Sequence, residues 1–263
     1  MNALVKDFAT QAGHWYRPDG TPAYTIIGKN GKERNTTVRD AREHKLNPSV
    51  TTVCKVMAAP GLETWKIDQA VMAALTATRR DGETDKDFIA RIKREAQEQA
   101  FRAADFGTTI HGQIEKSYRG ERVDPAYSLF VDGAVAEVEK HFPGGGWSAE
   151  RSFASNLGYG GKVDLHRDTD AEIPRVIVDF KGKDGDLSDV SCYNEHFMQG
   201  AAYGVGLFYP NPFISANCFF SRTHPGIAKM VIHDAAEQDR GWRMFRAALD
   251  LWVAVNNYDP RTP

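Results

Sequence analysis

Between Asp124 and Phe142 the apolar side chains Tyr127, Phe130, Val131, Ala134, Val135, Val138 and Phe142 recur at helical spacing, and Pro143-Gly144-Gly145-Gly146 ends the run. This predicts an amphipathic helix over 124–142. Beyond it the period shortens. Trp147 to Ser155, Gly161 to Arg167 and Arg175 to Lys181 are short strand-like runs separated by Asn, Gly, Asp and Pro, which predicts a three-stranded meander. A helix from about Asp189 to Phe208, strands over Phe213 to Ser221 and Ile227 to His233, and a helix over Ala235 to Asn256 complete this half.

The preceding half reads as helical after a small hairpin. Ala23 to Ile27, a Gly28-Lys29-Asn30-Gly31 turn and a return through Thr36-Thr37-Val38 predict two strands within 14–40, and residues 1–46 read as a peripheral extension. Pro48-Ser49-Val50-Thr51-Thr52-Val53 offers hydroxyl caps to a helix, and Leu62, Trp65, Ile67, Val71 and Leu75 predict another over 62–76. Asp85 to Ala104 is rich in helix formers, and after Gly107 a separate helix is expected from Thr108 to about Tyr118. The order of elements predicts an α/β class fold, an α+β sandwich with a central mixed sheet flanked by helices. Its single domain would span 47–263, with a helical region at 47–142 and a sheet-containing core at 147–263. Gly182-Lys183-Asp184-Gly185-Asp186 is the loop whose composition points to mobility.

Composition narrows the chemistry. The formal net charge of −2, from 33 basic and 35 acidic residues, argues against coating nucleic acid by bulk charge but leaves room for a local basic groove. Arg79, Arg80, Arg91, Lys93, Arg94 and Arg102 offer such a surface, or simply solvated helix faces. No run approaches the roughly 20 apolar residues that cross a bilayer, and Met1 to Gly13 lacks the order of a secretory signal, so an intracellular, cytoplasmic protein without a membrane partner is expected. Cys54, Cys192 and Cys218 are scattered, which supports neither a disulfide framework nor a zinc or iron-sulfur site.

The run Arg175-Val176-Ile177-Val178-Asp179-Phe180-Lys181 ends with a carboxylate and an ammonium on one face of a strand. A carboxylate can hold a divalent cation while a neighbouring lysine orients an attacking water. Spacing alone is weak, since Glu43-His44-Lys45 repeats it without an apolar strand. Context strengthens it. Gly160-Gly161-Lys162-Val163-Asp164-Leu165 carries Asp164 on the preceding strand, near enough in sequence for two adjacent antiparallel strands to share Mg²⁺ or Mn²⁺ between their carboxylates. His111 and Glu115 stand four apart on a helix, as do Gln199 and Tyr203. Glu150 and Lys183 are supporting candidates.

His111, Gly161-Lys162-Val163-Asp164, Asp179-Phe180-Lys181 and Gln199-Gly200-Ala201-Ala202-Tyr203, in that order, resemble the RecB-like branch of the PD-(D/E)XK nuclease superfamily. Pro48 to Val53 followed by Leu62-Glu63-Thr64-Trp65-Lys66 is similar to the corresponding region of the mitochondrial genome maintenance exonuclease and its phage relatives. The resemblance covers roughly 47–208. It implies a restriction-endonuclease-like core and a Mg²⁺-dependent deoxyribonuclease. Asp164 and Asp179 would bind the metal with the main-chain carbonyl of Phe180, Lys181 would position water, His111 would assist at metal or phosphate, and Gln199 and Tyr203 would complete the wall. The implied partner is DNA with free ends or single strands, in recombination, repair or replication, and a phage-encoded protein would act in its host cell. Two departures stand out: no cysteine set for an iron-sulfur cluster, and Gly182 where a hydroxyl residue often follows the lysine. A structure-specific endonuclease, RNA hydrolysis and a catalytically silent DNA-binding protein are the other readings.

Overall fold

A computed structural model of the chain describes residues 13–57, 60–168 and 174–261, and these divide into a larger unit of 13–56 and 113–261 and a smaller one within 57–112. In the larger, β1 (Trp15–Tyr16) and β4 (Asn47–Pro48) pair antiparallel, as do β2 (Thr25–Ile27) and β3 (Glu33–Asn35). The hairpin therefore forms, but its return strand is Glu33–Asn35 and not Thr36-Thr37-Val38. Thr37 instead caps α1 (Val38–His44): its hydroxyl accepts from the Asp40 amide while the Asp40 carboxylate accepts from the Thr37 amide. A reciprocal hydroxyl-acid cap satisfies two amides that a strand end would leave to water. Trp15, Ala23, Ala41 and Leu46 lie in the main core, so residues 13–46 are part of this unit and not a peripheral extension. The pair Glu43 and Lys45 falls at the end of α1, where Lys45 takes a left-handed cap conformation.

Ser49 caps α2 (Val50–Cys54), as its hydroxyl run predicts. In the smaller unit, Ala70 and Ala73 of α3 (Pro60–Thr76), with Ala77 just beyond its end, pack against Phe88, Ile92 and Ala96 of α4 (Asp85–Tyr118). Ile67, Val71 and Leu75 are exposed, so on the α3 side the contact is made by small residues. The helix α4 continues without a break through Gly107, where two helices were expected. One interior glycine costs about 1 kcal/mol relative to alanine, too little to stop a helix of 34 residues.

Asp124 caps a short 3₁₀ turn at Pro125–Tyr127 that leads into α5 (Ser128–His141). The central sheet follows: β5 (Trp147–Ser155), β6 (Tyr159–Arg167) and β7 (Val176–Lys183) form the antiparallel meander. The chain then crosses through α6 (Asn194–Phe208) to β8 (Ile214–Ser221), parallel to β7, and returns antiparallel in β9 (Ala228–Ile232) before α7 (Ala235–Asn256). The strand order is β5-β6-β7-β8-β9. Strand side chains alternate, so Lys181 reaches Gln199 of α6 while Cys218 reaches the Ala134 carbonyl of α5 on the opposite face. The result is the expected mixed α/β architecture, a central sheet with helices on both faces.

The segment 182–186 is tied down. β7 runs on to Lys183, Arg222 makes a two-pronged contact with Asp184, Ser221 donates to the Gly185 carbonyl, and the Gly185 amide donates to Thr223. No helix among the described residues is long and apolar enough to cross a membrane.

Candidate active site

Backbone pairing between β6 and β7 runs from Arg167 with Val176 to Leu165 with Val178. Asp164 and Asp179 are the next residues along the two strands, just beyond the end of this pairing. Asp164 also faces an irregularity on its other side: the β5–β6 pairing passes from Ala149–Leu165 to Arg151–Val163, and Glu150 between them has a left-handed φ of 55°. A glutamate in that conformation carries a cost of about 1–3 kcal/mol. Asp164 sits at this break. Its carboxylate accepts the Phe180 amide at 2.9 Å, so a side chain occupies the place of a ladder carbonyl. In a strand, the N–H and C=O of one residue point to the same edge, so the Phe180 carbonyl also faces the Asp164 side.

Asp179 is 3% exposed. Its Oδ2 lies 2.8 Å from Lys181 Nζ and accepts a 2.9 Å hydrogen bond from Asn217 Nδ2. Lys181 donates on to Gln199 Oε1 at 3.0 Å, and Gln199 Nε2 donates to the Tyr203 hydroxyl at 3.0 Å. Burial disfavours the Lys181 ammonium, but Asp179 and Asp164 beside it, the hydrogen bond to Asp179 and the charge of Glu195 outweigh that and raise its pKa above the ordinary lysine value. Burial, reinforced by the Asp179 charge, pushes the Tyr203 hydroxyl well above its usual value, so it stays protonated.

Five residues expected at a site, Asp164, Asp179, Lys181, Gln199 and Tyr203, are thus joined by proximity or direct bonds. Glu150 pairs with Lys162 on β6 and lies against Glu115, which also pairs with Arg119. Burial, and then the charge of Glu150, raises the Glu115 pKa. Lys183 rests over the Tyr193 ring at 4.9 Å. His111 belongs to the smaller unit, where it is partly exposed on α4.

Three residues outside the sequence-based expectation join them. Asn217, Ser215 and His233 continue the network behind Asp179: His233 Nε2 is 2.9 Å from Asn217 Oδ1, and its Nδ1 is 3.0 Å from Ser215 Oγ. Burial lowers the His233 pKa and favours the neutral ring. Polar positions at 215 and 217 inside the apolar run Phe213 to Ser221 were the available signal, because alternate polar residues in a buried strand require partners.

Among the described residues no three His, Cys, Asp or Glu side chains are grouped as a metal cluster. Two carboxylates and a main-chain carbonyl are nevertheless hard oxygen donors, a set suited to Mg²⁺ or Mn²⁺ with waters completing the shell.

Comparison with protein-family models returns no match, and neither does comparison with curated proteins. Among solved structures, one titled "Crystal structure of SSO0001" is similar over 77% of this chain and 89% of that one, at 10% identity and a TM-score of 0.32.

Proposed function

We propose that the chain is a metal-dependent deoxyribonuclease of the PD-(D/E)XK type with a restriction-endonuclease-like core, acting as an exonuclease on DNA ends or single strands. One observation carries the reading: the Asp164 carboxylate accepts from the amide of Phe180, the residue next to Asp179, and Lys181 is bonded to Asp179 itself. Two carboxylates placed together repel each other and phosphate alike, which a divalent cation would reverse. Mg²⁺ or Mn²⁺ held by Asp164, Asp179 and the Phe180 carbonyl would supply positive charge at the phosphate and a more acidic water.

The protein's own groups do the rest. Lys181, bonded to Asp179 Oδ2 and Gln199 Oε1, would serve as a cation and hydrogen-bond donor that steadies the attacking water and the charge growing on phosphate. Gln199 accepts from Lys181 and is itself held by Tyr203, which limits the directions the ammonium can take. No residue need form a covalent intermediate.

A time course with end-labelled linear and covalently closed circular single-stranded DNA, with and without Mg²⁺, tests the proposal. Mg²⁺-dependent release of short products from linear DNA alone is expected. Cutting of the circle would replace the exonuclease by an endonuclease, and absence of cutting in both Mg²⁺ and Mn²⁺ would overturn the reaction class.

A further inference from the structure

Lys181 and Asn217 both bond to Oδ2 of Asp179, which leaves Oδ1 as the oxygen to turn towards a cation. The carboxylate can only accept, so Asn217 must present its Nδ2 and point Oδ1 the other way. That oxygen requires a donor in turn. His233 supplies it from Nε2, which fixes the neutral tautomer and makes Nδ1 the acceptor for the Ser215 hydroxyl. Cys192 Sγ, 3.4 Å from Asn217 Oδ1, adds a weaker contact to the same oxygen. Each group's direction is set by the one behind it.

We infer that Asn217 and His233 are positioning residues that hold Asp179 so that it meets a divalent cation through Oδ1 alone. The inference rests on the nuclease reading and adds to it a dependence of cation affinity on a histidine that does not touch the cation. Backbone pairing does not call for these side chains, because Asp179 and Asn217 are already register partners in β7 and β8. Ser215, Asn217 and His233 are 0%, 2% and 2% exposed, so solvent cannot substitute for a lost partner. A buried chain of this kind is stable only when every member is satisfied.

The test is Mn²⁺ binding to the full chain by calorimetry without DNA, alongside circular dichroism and Mg²⁺-dependent cleavage. His233→Leu is expected to raise the Mn²⁺ Kd about 10-fold or more while the fold is kept. His233→Gln, which retains a donor for Asn217 Oδ1, is expected to recover most of that loss. Ser215→Ala removes only the hydroxyl behind the ring, so a smaller rise is expected, and it gives a milder comparison should His233→Leu fail to fold. An unchanged Kd in the folded variants, or equal losses for Leu and Gln at position 233, overturns the inference while leaving a cleaving parent protein a nuclease. A parent that neither binds Mn²⁺ nor cuts DNA overturns the nuclease reading and this inference with it.

Discussion

Asp164 accepts a hydrogen bond from the amide of Phe180, the residue after Asp179 on the neighbouring strand. The contact joins the two carboxylate positions through one peptide unit. Any movement of β6 against β7 at this point would therefore change the separation of the two acids. The amide bond fixes where the Asp164 carboxylate lies.

Replacing Asp164 by Asn should separate chemistry from stability. The amide oxygen of Asn still accepts from Phe180, so the melting temperature should change little, whereas Mg²⁺-dependent cleavage should fall about 100-fold or more. Asp164→Ala should lose both, with about 1–3 kcal/mol of stability from the unpaired amide. Thermal melts and single-turnover cleavage of labelled DNA distinguish these outcomes.

Lys181→Met should abolish cleavage, and it should also change the alkaline limb of stability. A lysine whose folded pKa is raised contributes stability that is full below its unfolded value of about 10.4 and is lost as pH rises through the folded value. The parent protein should therefore lose stability more steeply than Lys181→Met above about pH 10. Chemical denaturation between pH 8 and 11 measures this, and parallel curves for the two proteins would refute the assignment.

Glu115→Gln should stabilise the fold near neutrality. Burial and the Glu150 charge raise the Glu115 pKa, so the folded state prefers the protonated acid and the ionised form costs stability at higher pH. The melting temperature of the variant should exceed that of the parent at pH 8, and the gap should close as pH falls towards the ordinary glutamate pKa of about 4.3. Melts at both ends of that range read the difference.

Gly241→Ala should loosen the helix pair that backs the site. A Cβ there would come 2.3 Å from the Phe197 carbonyl oxygen, a backbone atom that cannot move without shifting α6. Overpacking of this kind costs about 1–3 kcal/mol. A lowered melting temperature is expected, together with slower cleavage, because Gln199 lies two residues beyond Phe197 on the same helix. Unaltered melting would mean that α7 yields freely.

The sheet and the helices packed on it were legible because their periods are plain: the 124–142 stripe, the three short runs after Trp147 and the terminal helix all appear close to where the pattern puts them. Acid and lysine on β7 could be read from strand alternation alone. The supporting side chains could not. Asn217 comes 38 residues after Asp179 and meets it only because β8 lies parallel beside β7, a pairing that no local pattern announces. Gly107 misled in the other direction, since a helix breaker in isolation is tolerated within a long helix whose other residues favour the form. The role of Thr37 as a cap was hidden by its β-branched neighbours, which look like strand until Asp40 is counted.

The parallel alignment of β7 and β8 has a consequence for how the site comes into being. During synthesis the two acids and the lysine emerge together on one hairpin, well before Asn217, and closing the parallel pair requires the intervening crossover to be in place. A chain halted within α6 would carry Asp164, Asp179 and Lys181 but not Asn217, which meets Asp179 from β8. Completion of the network around Asp179 is thereby deferred until β8 and the residues after β9 have been made, and contacts of the earlier strands wait on the later ones.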